Sequence, residues 1–162
     1  TGSTEDTGVG SERHGVELTT YYQLSDAISL DFEYSWTDAT FKMAINGNYA
    51  IPGALEHVIS AGINMKPSDE FFAHLRLRSF DDFSLDGGER ADGSTLLNLR
   101  LGYEVSDNLS VSLDLLNLTD SDDHDIEYFY ESQLAGETMP IEDRHFHVFE
   151  PRSLRVYLDY RF

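Results

Sequence analysis

Apolar and polar residues alternate without interruption from Leu154 to Phe162. Leu154, Val156, Leu158, Tyr160 and Phe162 fall on one side, with Arg155, Tyr157, Asp159 and Arg161 between them. A period of two marks a β-strand whose two faces meet different surroundings. The same pattern recurs upstream, over Val16 to Leu24, Ile28 to Trp36, Ile59 to Met65, Ala73 to Leu77, Leu97 to Val105 and Leu109 to Leu115. It predicts about seven strands. Each is near the roughly 9–11 residues with which a tilted strand crosses a bilayer.

The connections alternate as well. Ser25-Asp26, Pro67-Ser68-Asp69 and Ser106-Asp107-Asn108 are tight-turn sequences, rich in residues that bond their own backbone. Between them lie longer links at 42–54, 84–93 and 119–150. Short turns at one end and long loops at the other is the asymmetry of outer-membrane barrels. Arg76, Arg78, Arg100, Asp114, Arg155 and Asp159 share the polar face at mid-strand, as a wet lumen requires. Tyr22, Trp36, Phe71, Tyr103 and Phe162 lie on the apolar face towards segment ends, where a membrane interface holds aromatic rings. A soluble β-sandwich also alternates, but these features favour an all-β, antiparallel transmembrane barrel. Counted back from a periplasmic C-terminus, every tight turn is periplasmic. Bacterial single-chain barrels have even strand numbers, so seven strands ending in the periplasm read as a piece of a larger barrel. Residues 1–13, polar and glycine-rich, are expected to be an outer loop or linker, and 14–162 the barrel portion.

Composition narrows the function. The chain has 162 residues, a formal net charge of −19 and no cysteine. Such acidity opposes nucleic-acid binding, which needs clustered Lys and Arg. Without cysteine there are no disulfides and no thiolate metal sites. No apolar run approaches the roughly 20 residues of a membrane helix, which is no argument against barrel strands. The chain opens Thr1-Gly2-Ser3 with neither Met nor signal peptide, so an exported protein of this kind is expected to have been processed or cut from something longer.

Several motifs, taken in order, resemble the C-terminal part of the β-barrel of TonB-dependent outer-membrane receptors. They are Gly15-Val16-Glu17, Tyr34-Ser35-Trp36-Thr37-Asp38-Ala39-Thr40-Phe41, Ile51-Pro52, Asn117-Leu118-Thr119-Asp120 and Glu150-Pro151-Arg152, followed by the closing strand to Phe162. Thr119 departs from the aromatic residue usual at its position. The resemblance covers nearly everything from residue 14 onward. It implies a barrel of about 22 strands enclosing an N-terminal plug, like the plugged transporters, of which this chain would supply the last seven. It further implies uptake of a scarce nutrient (siderophore-iron, cobalamin, metal or carbohydrate), energised by the TonB complex through a plug that lies outside these 162 residues. Tyr160 and Phe162 would form part of the signal read by the barrel assembly machinery, and outer-membrane lipid and lipopolysaccharide would surround the wall.

Candidate ligand-binding residues lie in link 119–150, whose length far exceeds the usual 2–6 residues. It carries Asp120, Asp122, Asp123, Asp125, Glu127 and Glu131, the aromatic run Tyr128, Phe129, Tyr130, and the pair His145 and His147. Alternation over Ile126–Tyr130 predicts a hairpin that rises above the membrane and turns these aromatics towards a ligand at the barrel mouth. The alternative is a solvated acidic loop whose aromatics hold neighbouring loops in shape. The two histidines share a face if extended, but lack the ligand framework of a zinc or copper site. The run from Asp120 to Asp125 does not fit an EF-hand loop. No metal site, cofactor or catalytic residue is assigned, because no nucleophile motif or phosphate-binding loop is present. The other functional readings are a small non-transporting barrel for adhesion or anchoring, and a soluble β-sandwich binding module.

Overall fold

The computed structural model describes residues 7–162. Twelve strands follow in chain order: β1 (Ser11–Ser25), β2 (Ile28–Ile45), β3 (Asn48–Ala50), β4 (His57–Met65), β5 (Phe71–Phe80), β6 (Phe83–Ser84), β7 (Arg90–Ala91), β8 (Ser94–Ser106), β9 (Leu109–Leu116), β10 (His124–Ser132), β11 (Ile141–Val148) and β12 (Ser153–Tyr160). The helical element among the described residues is one three-residue 3₁₀ turn, Asp86–Gly88.

Seven of these strands form one antiparallel wall in the order β1-β2-β4-β5-β8-β9-β12, with β3 paired to the upper part of β2. They are the seven segments that the alternation marks. A soluble sandwich would need a second sheet over the apolar face, and among the described residues there is none. Outside the wall lie two small two-stranded sheets, β6-β7 and β10-β11. Both belong to connections.

Register keeps each face continuous. One apolar row runs Tyr22, Leu30, Ile63, Leu75, Leu99, Leu115, Leu154 across all seven strands. The neighbouring row runs Ile28, Met65, Ala73, Leu101, Leu113, Val156. A slip of one residue in any pair would turn that strand's apolar residues to the wrong side. On the opposite face the charges pair across strands. Arg76 donates to Asp31 at 2.6 Å and to Ser60 at 3.2 Å, Asn64 donates to Asp31 at 3.0 Å, and His74 bonds Asn64 at 2.8 Å. Arg100 grips Asp114 with two bonds of 2.5 and 2.7 Å and lies over the Tyr157 ring. Two glycines make room on this face. An added Cβ on Gly62 would stand 2.2 Å from the Asp31 carboxylate, and one on Gly102 would stand 2.1 Å from the Phe72 ring.

All three tight turns lie at one end of the wall and the three long connections, 46–56, 81–93 and 117–152, at the other. Three boundaries differ from expectation. β1 begins at Ser11, inside the stretch expected to be loop, because Ser11 to Gly15 pair with Phe41 to Thr37. β2 continues to Ile45 and turns back into β3 through Asn46 and Gly47, both at positive φ, as a two-residue hairpin turn demands. The closing strand stops at Tyr160. Beyond it the Arg161 amide still donates to the Asn108 carbonyl at 2.9 Å, while Phe162 is fully exposed with its ring edge-on to Tyr160.

Candidate ligand-binding surface at the long-loop end

The base of the 117–152 connection is tied by side chains that accept unusual backbone geometry. Asn117 and Asp120 have φ of 50° and 57°, a left-handed conformation in which Asn and Asp are the best-tolerated residues with a side chain. The Asn117 amide group is buried and donates to the carbonyls of Ser121 at 2.7 Å and Glu150 at 3.2 Å, while its oxygen accepts from the Ser121 N–H at 2.9 Å. Its own N–H donates to Asn98 on β8 at 2.9 Å. Asp120 accepts from the Arg152 N–H at 3.0 Å and from its guanidinium at 3.1 Å. Asn117, Asp120, Glu150 and Arg152 thus form one clamp where the chain leaves the wall and returns. Thr119 bears none of these bonds.

Above the clamp β10 and β11 make an antiparallel hairpin, with Ile126 opposite His147, Tyr128 opposite His145 and Tyr130 opposite Asp143. A register shift between His124 and Ile126 turns the His124 side chain to the same side as Glu127. The hairpin therefore has two distinct sides. Its outer side carries Tyr128, Tyr130, His145 and His147, with Tyr130 and His145 stacked at 4.0 Å and 17°. Both tyrosines are about half exposed. Its inner side carries His124, Glu127, Phe129, Arg144 and Phe146, and faces the 81–93 connection. The Phe129 ring occupies the space beside Gly87, where an added Cβ would stand 2.7 Å from the ring.

Of the five candidate residues, the structure brings Tyr128, Tyr130, His145 and His147 together on one side. Phe129 packs on the other, against a neighbouring connection. His124 and Arg144 were not named by sequence reasoning, and Glu127 was named only as one of the acidic residues of the link. The position of Glu127 within the alternating run does put it opposite Tyr128, but its burial depends on a loop far away in sequence.

The three connections also tie to one another. The Gly53 N–H donates to the Ser84 carbonyl at 2.8 Å, and the Asp92 N–H donates to the Glu127 carboxylate at 3.3 Å, while the Thr95 N–H on β8 ties Asp123 to the wall at 2.8 Å. Arg90 pairs with Asp82, donating from Nε at 2.6 Å, and its guanidinium holds the Asp82 carboxyl below the usual carboxylate range. Between the hairpin base and the other two connections lies a cleft of about 150 Å³, lined in part by Leu55, Phe80, Phe83, Ile126 and Glu127. Among the described residues no group of three or more His, Asp or Glu side chains gathers as a metal site would.

Comparison with known proteins agrees with this architecture. Residues 2–118 match the family model described as TonB dependent receptor-like, beta-barrel. The ferric-catecholate import receptor Fiu of E. coli K12, in its closed form, superposes with a TM-score of 0.71 at 20% identity, over 95% of this chain and 21% of its own. The ferric yersiniabactin uptake receptor FyuA of Yersinia pestis gives a TM-score of 0.73 at 15% identity, over 95% of this chain and 24% of its own. The siderophore receptor PiuA of Acinetobacter baumannii gives 0.67 at 16% identity, over 93% and 22%. The chain thus spans between a fifth and a quarter of the length of these structures. No curated protein sequence matches it. With its wall, its split of short turns from long connections and the family model over most of its length in accord, the chain belongs to the TonB-dependent receptor-like β-barrel family.

Proposed function

We propose that this chain is the C-terminal part of the barrel of an outer-membrane receptor that captures a ferric siderophore at its long-loop end and imports it with energy from the TonB complex. The observation that carries the reading is the β10–β11 hairpin, which gathers Tyr128, Tyr130, His145 and His147 on one half-exposed side at the end of the wall where three long connections meet. Half-exposed tyrosine rings, with the exposed His147 beside them and His145 stacked beneath Tyr130, suit a ligand with flat, polarisable groups. The printed roles of Fiu, FyuA and PiuA make iron chelates the first ligands to test, ahead of cobalamin, free metal or carbohydrate. In this reading the tight turns and the C-terminus face the periplasm, the acidic connections face outward beside lipopolysaccharide, and a plug domain enclosed by the full barrel contacts TonB. Tyr160 and Phe162 serve recognition by the barrel assembly machinery. Nothing in the wall or the connections is assigned to catalysis.

The test uses the full-length receptor in detergent, titrated with a ferric tris-catecholate complex and with ferric yersiniabactin. Tyr130→Ala and His145→Ala should each weaken whichever complex binds by about tenfold or more, the scale of a lost aromatic or hydrogen-bonded contact. Binding unchanged in both variants would remove the hairpin from the ligand site. Failure of both iron complexes to bind would exclude these two siderophore classes.

A further inference from the structure

We propose that Glu127 is the positioning residue of this face: with His124 and Arg144 it latches the inner side of the hairpin to the 81–93 connection. The inference rests on the reading of the outer side as the ligand-binding side, and it adds what holds that side in place. β10 and β11 pair only with each other, apart from the wall. A two-stranded hairpin is marginal in water by itself, so its position depends on what its inner side touches.

Glu127 is the most buried carboxylate among the described residues, at 4% exposure. A buried carboxylate is tolerated only where donors or positive charge meet it. Oε1 accepts from the Asp92 N–H at 3.3 Å and bonds His124 Nδ1 at 2.7 Å. Oε2 is out of reach of solvent and accepts no hydrogen bond, and the Arg144 guanidinium stands 3.6 Å from it. Arg144 also donates to the Arg90 carbonyl at 2.8 Å and reaches the Asp92 carboxylate at 3.5 Å. Hairpin and connection therefore share one set of polar and charged groups, with Glu127, His124 and Arg144 on one side and Asp92 and the Arg90 carbonyl on the other. Phe146 stacks on His124 at 3.9 Å and 16°, and Phe129 seals the Gly87 side. Glu127 alone is dry, at 4% exposure, while the Asp92 side chain stands largely in water, so the bonds to Glu127 are the ones strengthened.

Glu127→Gln keeps the volume but removes the charge that Arg144 faces. In the full-length receptor, with heat-modifiable migration confirming a closed barrel, amide hydrogen exchange should quicken at least about tenfold in 124–148 and also in 81–93. Exchange in the wall strands should not change, which separates a lost latch from general destabilisation. Arg144→Gln should do the same, and the double variant should be looser by less than the sum of the two single effects, because both remove the Glu127–Arg144 pair. If Glu127→Gln fails to insert, Arg144→Gln carries the test alone, since it removes the same ion pair from its other side. Unchanged exchange over 124–148 in the variants that insert would overturn the latch. Titration with the ferric tris-catecholate complex separates this inference from the reading beneath it. Weakening by Tyr130→Ala without weakening by Glu127→Gln overturns the positioning role and leaves the face intact. No weakening by either overturns both.

Discussion

In the wall, Phe32, Ile63 and Tyr103, on strands paired at both sides, stand 38%, 38% and 53% exposed, whereas Leu85 and Ala91 in the 81–93 connection are 5% and 1% exposed. Asn117 and Glu127, both in the longest connection, are buried polar groups. The two regions thus invert the usual arrangement, in which strands enclose the core and loops stay wet. The wall offers its apolar side chains outward because lipid is their solvent. Its five inner strands pair on both sides, and β1 and β12 each keep one open edge, which in a spanning structure must be met by further strands. The connections stand in water, and there they bury side chains and satisfy polar groups as a small soluble domain would. The difference teaches that one chain can obey two solvents, with the boundary at Ser94, Leu116 and Ser153, where strands hand over to connections.

The comparison is broken most severely by placing charge on the lipid side. Leu99→Arg, at the centre of an apolar row, should cost about 2–4 kcal/mol of barrel stability. Ser112→Arg, one strand away but on the polar face, should cost far less. Unfolding titrations of the full receptor in lipid give both numbers, and equal costs would mean that the faces have been exchanged. Next in size is Asn117→Ala, which leaves the Ser121 and Glu150 groups without their partner and should cost about 1–3 kcal/mol. That loss should show as faster proteolysis within 117–152, with the wall intact. Smaller again is Asp31→Asn, which loosens a lumen pair that is already partly hydrated. About 1 kcal/mol or less is expected, shrinking as salt is raised. At the hairpin tip Leu134 is exposed, and Leu134→Ser should change stability by no more than about 0.5 kcal/mol. Orientation is sharpened by labelling. Because the chain has no native cysteine, single cysteines at positions 134 and 139 should react with a water-soluble maleimide on intact cells. Cysteines at 26 and 107 should not.

The wall was legible because its information is local. Each strand announces its two faces at every second residue, and Asp26, Pro67 and Asp107 mark the turns between them. The lumen pairs were half legible. Arg100 and Asp114 could be assigned to one face, but only the register makes them a bidentate pair. Asn46-Gly47 carried a readable hairpin signal inside a stretch expected to be loop. The connections were the least legible, because their geometry rests on contacts between distant segments. Glu127 meets Asp92 across 35 residues, and Asn98, which reads as an ordinary lumen residue, receives the Asn117 amide that starts the longest connection. Tyr128, Phe129 and Tyr130 were expected to turn together towards the ligand, although strict alternation separates Phe129 from the two tyrosines. It could not say that Phe129 would be spent on packing against Gly87, since that needs the position of a loop some forty residues away.

Gly62 and Gly102 give the wall's inner surface a mechanical property. Because neither carries a side chain, the Asp31 carboxylate and the Phe72 ring lie back against the strands instead of standing into the bore. Whatever passes along or sits within this sector meets a low relief. A methyl group at Gly102 would have to lift the Phe72 ring off the wall, converting a smooth lining into a protruding obstacle. The relief of this seven-strand sector is therefore set less by its large residues than by two of its smallest.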